Sequence, residues 1–291
     1  MKQFFDQPCI TLEEARNTGR GHAWYFELIK QIVVCILLEI LIPSFIYQWL
    51  FSVLPLDWDE FLIELFITAI PMTFFILYVL AFERRNLRSI GFSKDRIFKS
   101  YGIGLLIGFL LFSSALCIGV LTRQYRFVGV DTVSPILLFY FLGYMVQGMH
   151  EEVLCRGYMM ISMARKNPLW VGVLSNSLLF ALIHIANPGF GPAAILNIFL
   201  VGVIFSLFMI KFDNIWVNGA MHSVWNYVQG CVFGLSVSGM DDTASLFRFE
   251  QLNENPWAGG LFGMESSLIV SLILIITTIL LYFLWMKEPK G

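Results

Sequence analysis

The sequence predicts an all-α, polytopic integral membrane bundle of about eight transmembrane helices. Three observations lead there. Of its 291 residues 57% are apolar and only 14% charged. The mean hydropathy is +0.73. The apolar residues gather into runs of about 20, the length that crosses a bilayer as a helix. Lipid is then the solvent for most of the surface, so the net charge of −2 carries little meaning. No wide basic tract is present, which excludes nucleic acid as a partner. The five cysteines, Cys9, Cys35, Cys117, Cys155 and Cys231, form no C-x-x-C pair and read as small hydrophobes in apolar surroundings.

In chain order the candidate spans are 29–51, 61–82, 101–121, 133–157, 168–187, 191–211, 215–235 and 266–286. Ahead of them, residues 1–28 mix Trp24, Tyr25 and Phe26 with Glu27 and read as an interfacial segment on the cytoplasmic surface. The first long apolar run begins only near residue 29, so no cleavable signal peptide is expected. Asn167-Pro168 and Gly189-Phe190-Gly191-Pro192 mark tight hairpins, and Gly104 with Gly108 has the small-xxx-small spacing of close helix packing. No internal repeat or linker divides residues 29–291, which read as one transmembrane domain.

Orientation follows the positive charges. Arg84, Arg85, Arg88, Lys94, Arg96 and Lys99 crowd the loop after the second span, which places that loop in the cytoplasm. Alternation then puts Arg165, Lys166, Lys211, Lys287 and Lys290 on the same side, with both termini cytoplasmic. Arg123, Arg126 and Arg248 dissent. The basic loop reads as topogenic rather than as a ligand site.

Against this apolar background a cluster of polar side chains, Glu151, Glu152, Arg156, His184, His222 and Asn226, falls within 76 residues, each inside a predicted span. Ionisable groups in hydrocarbon are costly unless paired or hydrated, and they mark function by default. Helix rise places Glu151 roughly 21 Å, His184 roughly 24 Å, His222 roughly 14 Å and Asn226 roughly 20 Å from the cytoplasmic end of their helices. Such similar levels allow one shared cavity in the outer half of the bilayer. Glu152 and Arg156, four apart, suit a salt bridge. Glu151 is rotated about 100° away, left without that cation, and suits a general base. Phe180 lies one turn before His184 and can wall it. His222 and Asn226 share a face and can present two donors to an oxyanion.

Other readings of the cluster are available. Zinc could be assembled from Glu151, His184 and His222, although the His150-Glu151 pair lacks the second histidine of the helical zinc motif, Leu154 standing in its place. His150 receives no role, and His22 reads as surface. A proton-coupled carrier also uses intramembrane Glu and His, but would be expected to show repeats or broken helices in matching halves. A non-catalytic immunity or scaffold protein would use the cluster only as polar glue between helices.

In combination, Glu151-Glu152-x-x-x-Arg156, Phe180-x-x-x-His184 and His222-x-x-x-Asn226 resemble the three motifs of the CAAX protease and bacteriocin-processing (Abi) family of intramembrane glutamic peptidases. The likeness covers positions 151–226. It implies that residues 133–235 form a catalytic core, that Glu151 and His184 activate a water, that His222 and Asn226 stabilise the tetrahedral oxyanion, and that Glu152 and Arg156 support the site without a cofactor. The implied partner is a membrane-associated or lipid-bearing peptide or protein. The implied setting is a bacterial cell membrane, where relatives are associated with bacteriocin maturation or self-immunity.

Overall fold

The computed structural model describes residues 9–18, 21–53, 59–241 and 244–286. Every predicted span is a helix. A short α1 (Ile10–Asn17) precedes α2 (Trp24–Val53) and α3 (Glu60–Ala81). Next come α4 (Ile97–Leu121) and α5 (Ile136–Glu152), which continues through a π-helical stretch, Val153–Met160, to a last turn, Ile161–Ala164. The series ends with α6 (Leu169–Ile183), α7 (Pro192–Phe212), α8 (Trp216–Tyr227) and α9 (Leu268–Met286). By length and composition α2, α3, α4 and α7 are apolar enough to cross a membrane. The others are shorter, or carry the polar residues of interest.

The hairpins form where the sequence places them. Pro168 precedes the first turn of α6, and Pro192 opens α7, where its missing N–H leaves no intrahelical bond unmade. Asp59 caps α3 by accepting the Leu62 amide at 3.0 Å, and Asn214 caps α8 by accepting the Trp216 amide at 3.1 Å.

Close packing sets the position of α8. A Cβ at Gly104 would stand 2.2 Å from the Val217 carbonyl oxygen, and one at Gly108 would stand 2.4 Å from that of Met221. On the other side, a Cβ at Gly148 would meet the Ser223 amide nitrogen at 2.7 Å. Bare backbone on α4 and α5 therefore lets α8 slot between them, as small residues do in membrane helix pairs. That slot brings His222 level with Glu151 and Glu152.

Two features lay outside the sequence reading. The first is an antiparallel pair, β1 (Tyr125–Val130) with β2 (Phe247–Gln251), bulged between Phe127 and Gly129. It accounts for two of the dissenting charges, because Arg126 pairs with Glu250 and Arg248 with Asp131. The second is α1, which buries Cys9, Leu12 and Ala15 in the protein core. Thr11 donates its amide to Asp213 at 2.9 Å and Cys9 its thiol at 3.3 Å. Burial, reinforced by the Asp213 charge, pushes the Cys9 thiol up to about 12. The span after α1 begins at Trp24 rather than 29, and residues 1–8 and 19–20 of the predicted interfacial segment lie outside the described residues, as do Lys287 and Lys290.

The basic loop is partly consumed by the fold. Arg85 is 3% exposed and donates to Glu83 at 3.0 Å, to the Ser162 hydroxyl at 2.8 Å and to the Gly157 carbonyl at 2.8 Å. Lys30 reaches Glu83 at 2.6 Å, while Arg88 pairs with Asp213. Arg84, Lys94, Arg96 and Lys99 stay exposed. Burial opposes the ionised Glu83 carboxylate, but Arg85 and Lys30 beside it outweigh that and hold it below the usual 4.5.

A group with a lowered folded value stabilises the fold above its unfolded value and loses that contribution as pH falls through the folded one. The advantage of the wild type over Glu83→Gln in thermal unfolding should therefore be full near neutrality and shrink as pH drops below about 4.5. Gly108→Val should lower stability by about 1–3 kcal/mol through overpacking against α8, read from the unfolding midpoint in micelles.

Candidate functional site

Four helices meet around one buried ion pair. Glu152 and Arg156 are both 0% exposed, and the Arg156 guanidinium donates to Glu152 Oε1 at 2.9 Å. The same oxygen faces His222 Nδ1 at 2.9 Å, and the other carboxylate oxygen accepts from the Asn218 amide at 3.3 Å. Arg156 lies 4.8 Å from the ring centre of Phe180 and 5.1 Å from that of Phe205, and donates to the Gly202 carbonyl at 3.3 Å. Desolvated charges persist only with this degree of compensation, which cation–π contact supplements.

Because a carboxylate only accepts, the proton on His222 Nδ1 belongs to its bond with Glu152. Nε2 is then the nitrogen turned toward Glu151, whose Oε2 lies 3.5 Å away. That oxygen is buried and has no hydrogen-bond partner among the described residues. Its companion, Oε1, accepts from the Gln147 amide, and the Gln147 carbonyl in turn accepts from Asn226 at 3.0 Å. A continuous polar chain thus runs Asn226, Gln147, Glu151, His222, Glu152, Arg156.

His184 ends α6. Its Nδ1 lies 2.9 Å from the Phe180 carbonyl oxygen. A carbonyl can only accept, so Nδ1 carries the proton and Nε2 keeps its lone pair in the neutral ring. Phe180 stands edge-on to both histidines, with ring centres 5.1 Å from His184 and 5.9 Å from His222.

A cavity of about 470 Å³ is lined by Gln147, Glu151, Phe180, His184, His222 and Asn226, among others. Glu152 and Arg156 stand behind its wall. The structure therefore brings all seven sequence-predicted residues together, five on the cavity and two as the buried pair supporting them. One expectation differs in detail: His222 and Asn226 do not share one partner, since His222 faces the two carboxylates and Asn226 bonds Gln147. The zinc alternative lacks its ligand set, for among the described residues no group of three His, Cys, Asp or Glu side chains is arranged to hold a metal.

Four further residues belong to the arrangement and escaped the sequence reading. Gln147 and Asn218 each sit four residues before a motif residue, on the same helical face, a signal that was present but neutral. Phe205 is one of 28 phenylalanines, with nothing to set it apart. Glu39, an acid inside the first span, lies 3.0 Å from His150 and lines the cavity. His22 packs against Phe26 with the rings tilted and their centres 4.8 Å apart, and it does not line the cavity.

Residues 133–228 match the family described as Type II CAAX prenyl endopeptidase Rce1-like. The matched segment contains all seven motif residues. No curated protein matches the chain.

Glu152→Gln should release Arg156 as an uncompensated buried charge and cost about 3–5 kcal/mol. Glu151→Gln, which alters a carboxylate with an unpartnered oxygen, should leave the unfolding midpoint near that of the wild type. Parallel thermal melts of the two variants check the distinction.

Proposed function

From the premise that residues 133–228 carry an Rce1-like type II CAAX prenyl endopeptidase domain, we propose that the protein is a membrane endopeptidase that hydrolyses with a glutamate-activated water. The family match supports a protease of the membrane. Activation of the water by Glu151 rests chiefly on a single observation: a buried carboxylate oxygen of Glu151 without a hydrogen-bond partner among the described residues, at a cavity on which two oriented histidines and an asparagine amide also stand.

In this reading a water bound between Glu151 and His184 Nε2 gives a proton to Glu151 as its oxygen attacks the peptide carbonyl. The C–O bond forms and the carbonyl electrons move to oxygen. The imidazolium form of His222, whose Nδ1–H is held by Glu152 and whose Nε2 then also carries a proton, donates to that oxyanion together with the Asn226 amide. As the C–N bond breaks, the proton on Glu151 passes to the leaving amine. Glu152 and Arg156 keep His222 in position, with its Nδ1–H toward Glu152. Phe180 and Phe205 keep the pair dry. The substrate is a peptide at the bilayer surface or bearing a lipid, with a prenylated CAAX-type C-terminus as the first chemistry to test. The exposed cations of the 83–99 loop favour the cytoplasm for that loop.

The test is release of the C-terminal tripeptide from a farnesylated CAAX peptide by protein reconstituted in liposomes. Glu151→Gln should lower turnover by about 10²–10⁴, and Asn226→Ala by about 10²–10³, with folding retained. Near wild-type turnover by Glu151→Gln would overturn the assignment of the base. Cleavage of the peptide only when it lacks the prenyl group would overturn the substrate class. Turnover absent from the wild type on prenylated and plain peptides alike would favour a non-catalytic role.

A further inference from the structure

We propose that Glu39, on the first span and outside the family-matched segment, is a positioning residue for this reaction: through His150 it fixes the turn that aims Glu151 into the cavity. The inference rests on the endopeptidase reading above.

Three consecutive residues of α5 leave the helix in three directions, about 100° apart. Glu152 enters the buried cluster with Arg156, Asn218 and His222. Glu151 faces the cavity. His150 turns to α2, where its Nε2 lies 3.0 Å from Glu39 Oε2. His150 is 2% exposed, and its Nδ1 has no partner among the described residues, so Glu39 is the group that orients the ring.

Sequence and backbone give Glu39 further weight. No other Asp, Glu, Lys, Arg or His occurs from Gln31 to Val53, in a helix whose most apolar window is only 11% buried. A lone carboxylate there is costly and marks a function. Moreover α2 turns π-helical at Ile36–Leu41, around Glu39 itself. Its partner α5 turns π-helical at Val153, directly after Glu152. Departures of this kind gather at functional sites. With the α-helical register of α5 ending there, the rotational setting of residues 150–152 depends on side-chain anchors. The Glu152 cluster holds one side and Glu39 holds the other, with Glu151 between them. Displacing a reacting group by about 1 Å costs up to about 10² in rate.

The experiment compares wild type, Glu39→Ala, Glu39→Gln, His150→Ala and the Glu39→Ala/His150→Ala double variant in liposomes on the farnesylated CAAX peptide, with Glu151→Gln as reference. Glu39→Ala and His150→Ala should each lower kcat about 10-fold while KM stays within about two-fold. The double variant should be no worse than either single one, as for two residues acting through one contact. Glu39→Gln, whose amide still reaches His150, should recover most of the loss. Amide exchange across 147–157, read on the same proteins, should quicken in Glu39→Ala whatever the turnover.

Wild-type kcat in Glu39→Ala, a loss confined to KM, losses that add in the double variant, or unchanged exchange across 147–157 would each overturn the proposal. Full activity in Glu151→Gln would instead remove the assignment of Glu151 as the base, and a wild type without turnover would remove the endopeptidase reading beneath the proposal. An inactive Glu151→Gln beside a fully active Glu39→Ala would remove the positioning role alone.

Discussion

The Glu152–Arg156 pair, without exposed surface on either side chain, is the constraint around which the rest of the molecule is arranged. A buried ion left uncompensated costs more than the pair contributes, so the pair draws further partners from other helices. Arg156 takes its aromatic faces from α6 and α7 and a carbonyl from α7. Glu152 takes its other two donors from α8. Four helices are thus pinned at one level, and the level is that of the cavity. His222 is both a ligand of the pair and a wall of the cavity, which is how a structural requirement becomes a chemical one.

The helices were legible because hydrocarbon is a strict solvent: a segment crossing it must be apolar and must satisfy its own backbone, and hydropathy reports both. The same logic made Glu151, Glu152, Arg156, His184 and His222 conspicuous, since each would be costly in lipid without a reason. Gln147 and Asn218 were passed over because a carboxamide raises no comparable alarm, although both lie on the same helical stripes as the motif residues. Glu39 was passed over as well, since a lone acid on a helix does not say which neighbour it faces. Only coordinates put it beside His150.

The features missed altogether were those with short or distant signals. The strand pair joins residues near 125 to residues near 250, and a period-two pattern over five or six residues is too brief to stand out beside the long apolar runs. Its ion pairs also explain why Arg126 and Arg248 argued against the orientation drawn from the other charges. The π-helical stretches leave no mark on hydropathy, because lengthening a turn by one residue does not change which residues are apolar.

The first span has a history that the folded arrangement implies. Lipid tails are as apolar as the Ile and Leu side chains that coat α2, so van der Waals packing alone gives it little preference for protein over bilayer. Its seat is set by polar contacts at successive depths: Gln31 to the Met159 carbonyl, Glu39 to His150, and Tyr47 to Glu64. Two of those three partners lie more than a hundred residues downstream. As the chain emerges from the ribosome N-terminus first, α2 is threaded into the membrane carrying an acid whose companion has not been synthesised. Glu39 therefore lacks its companion until α5 arrives, and the enclosure of the cavity is completed late in biogenesis rather than at the moment its earliest wall is laid down.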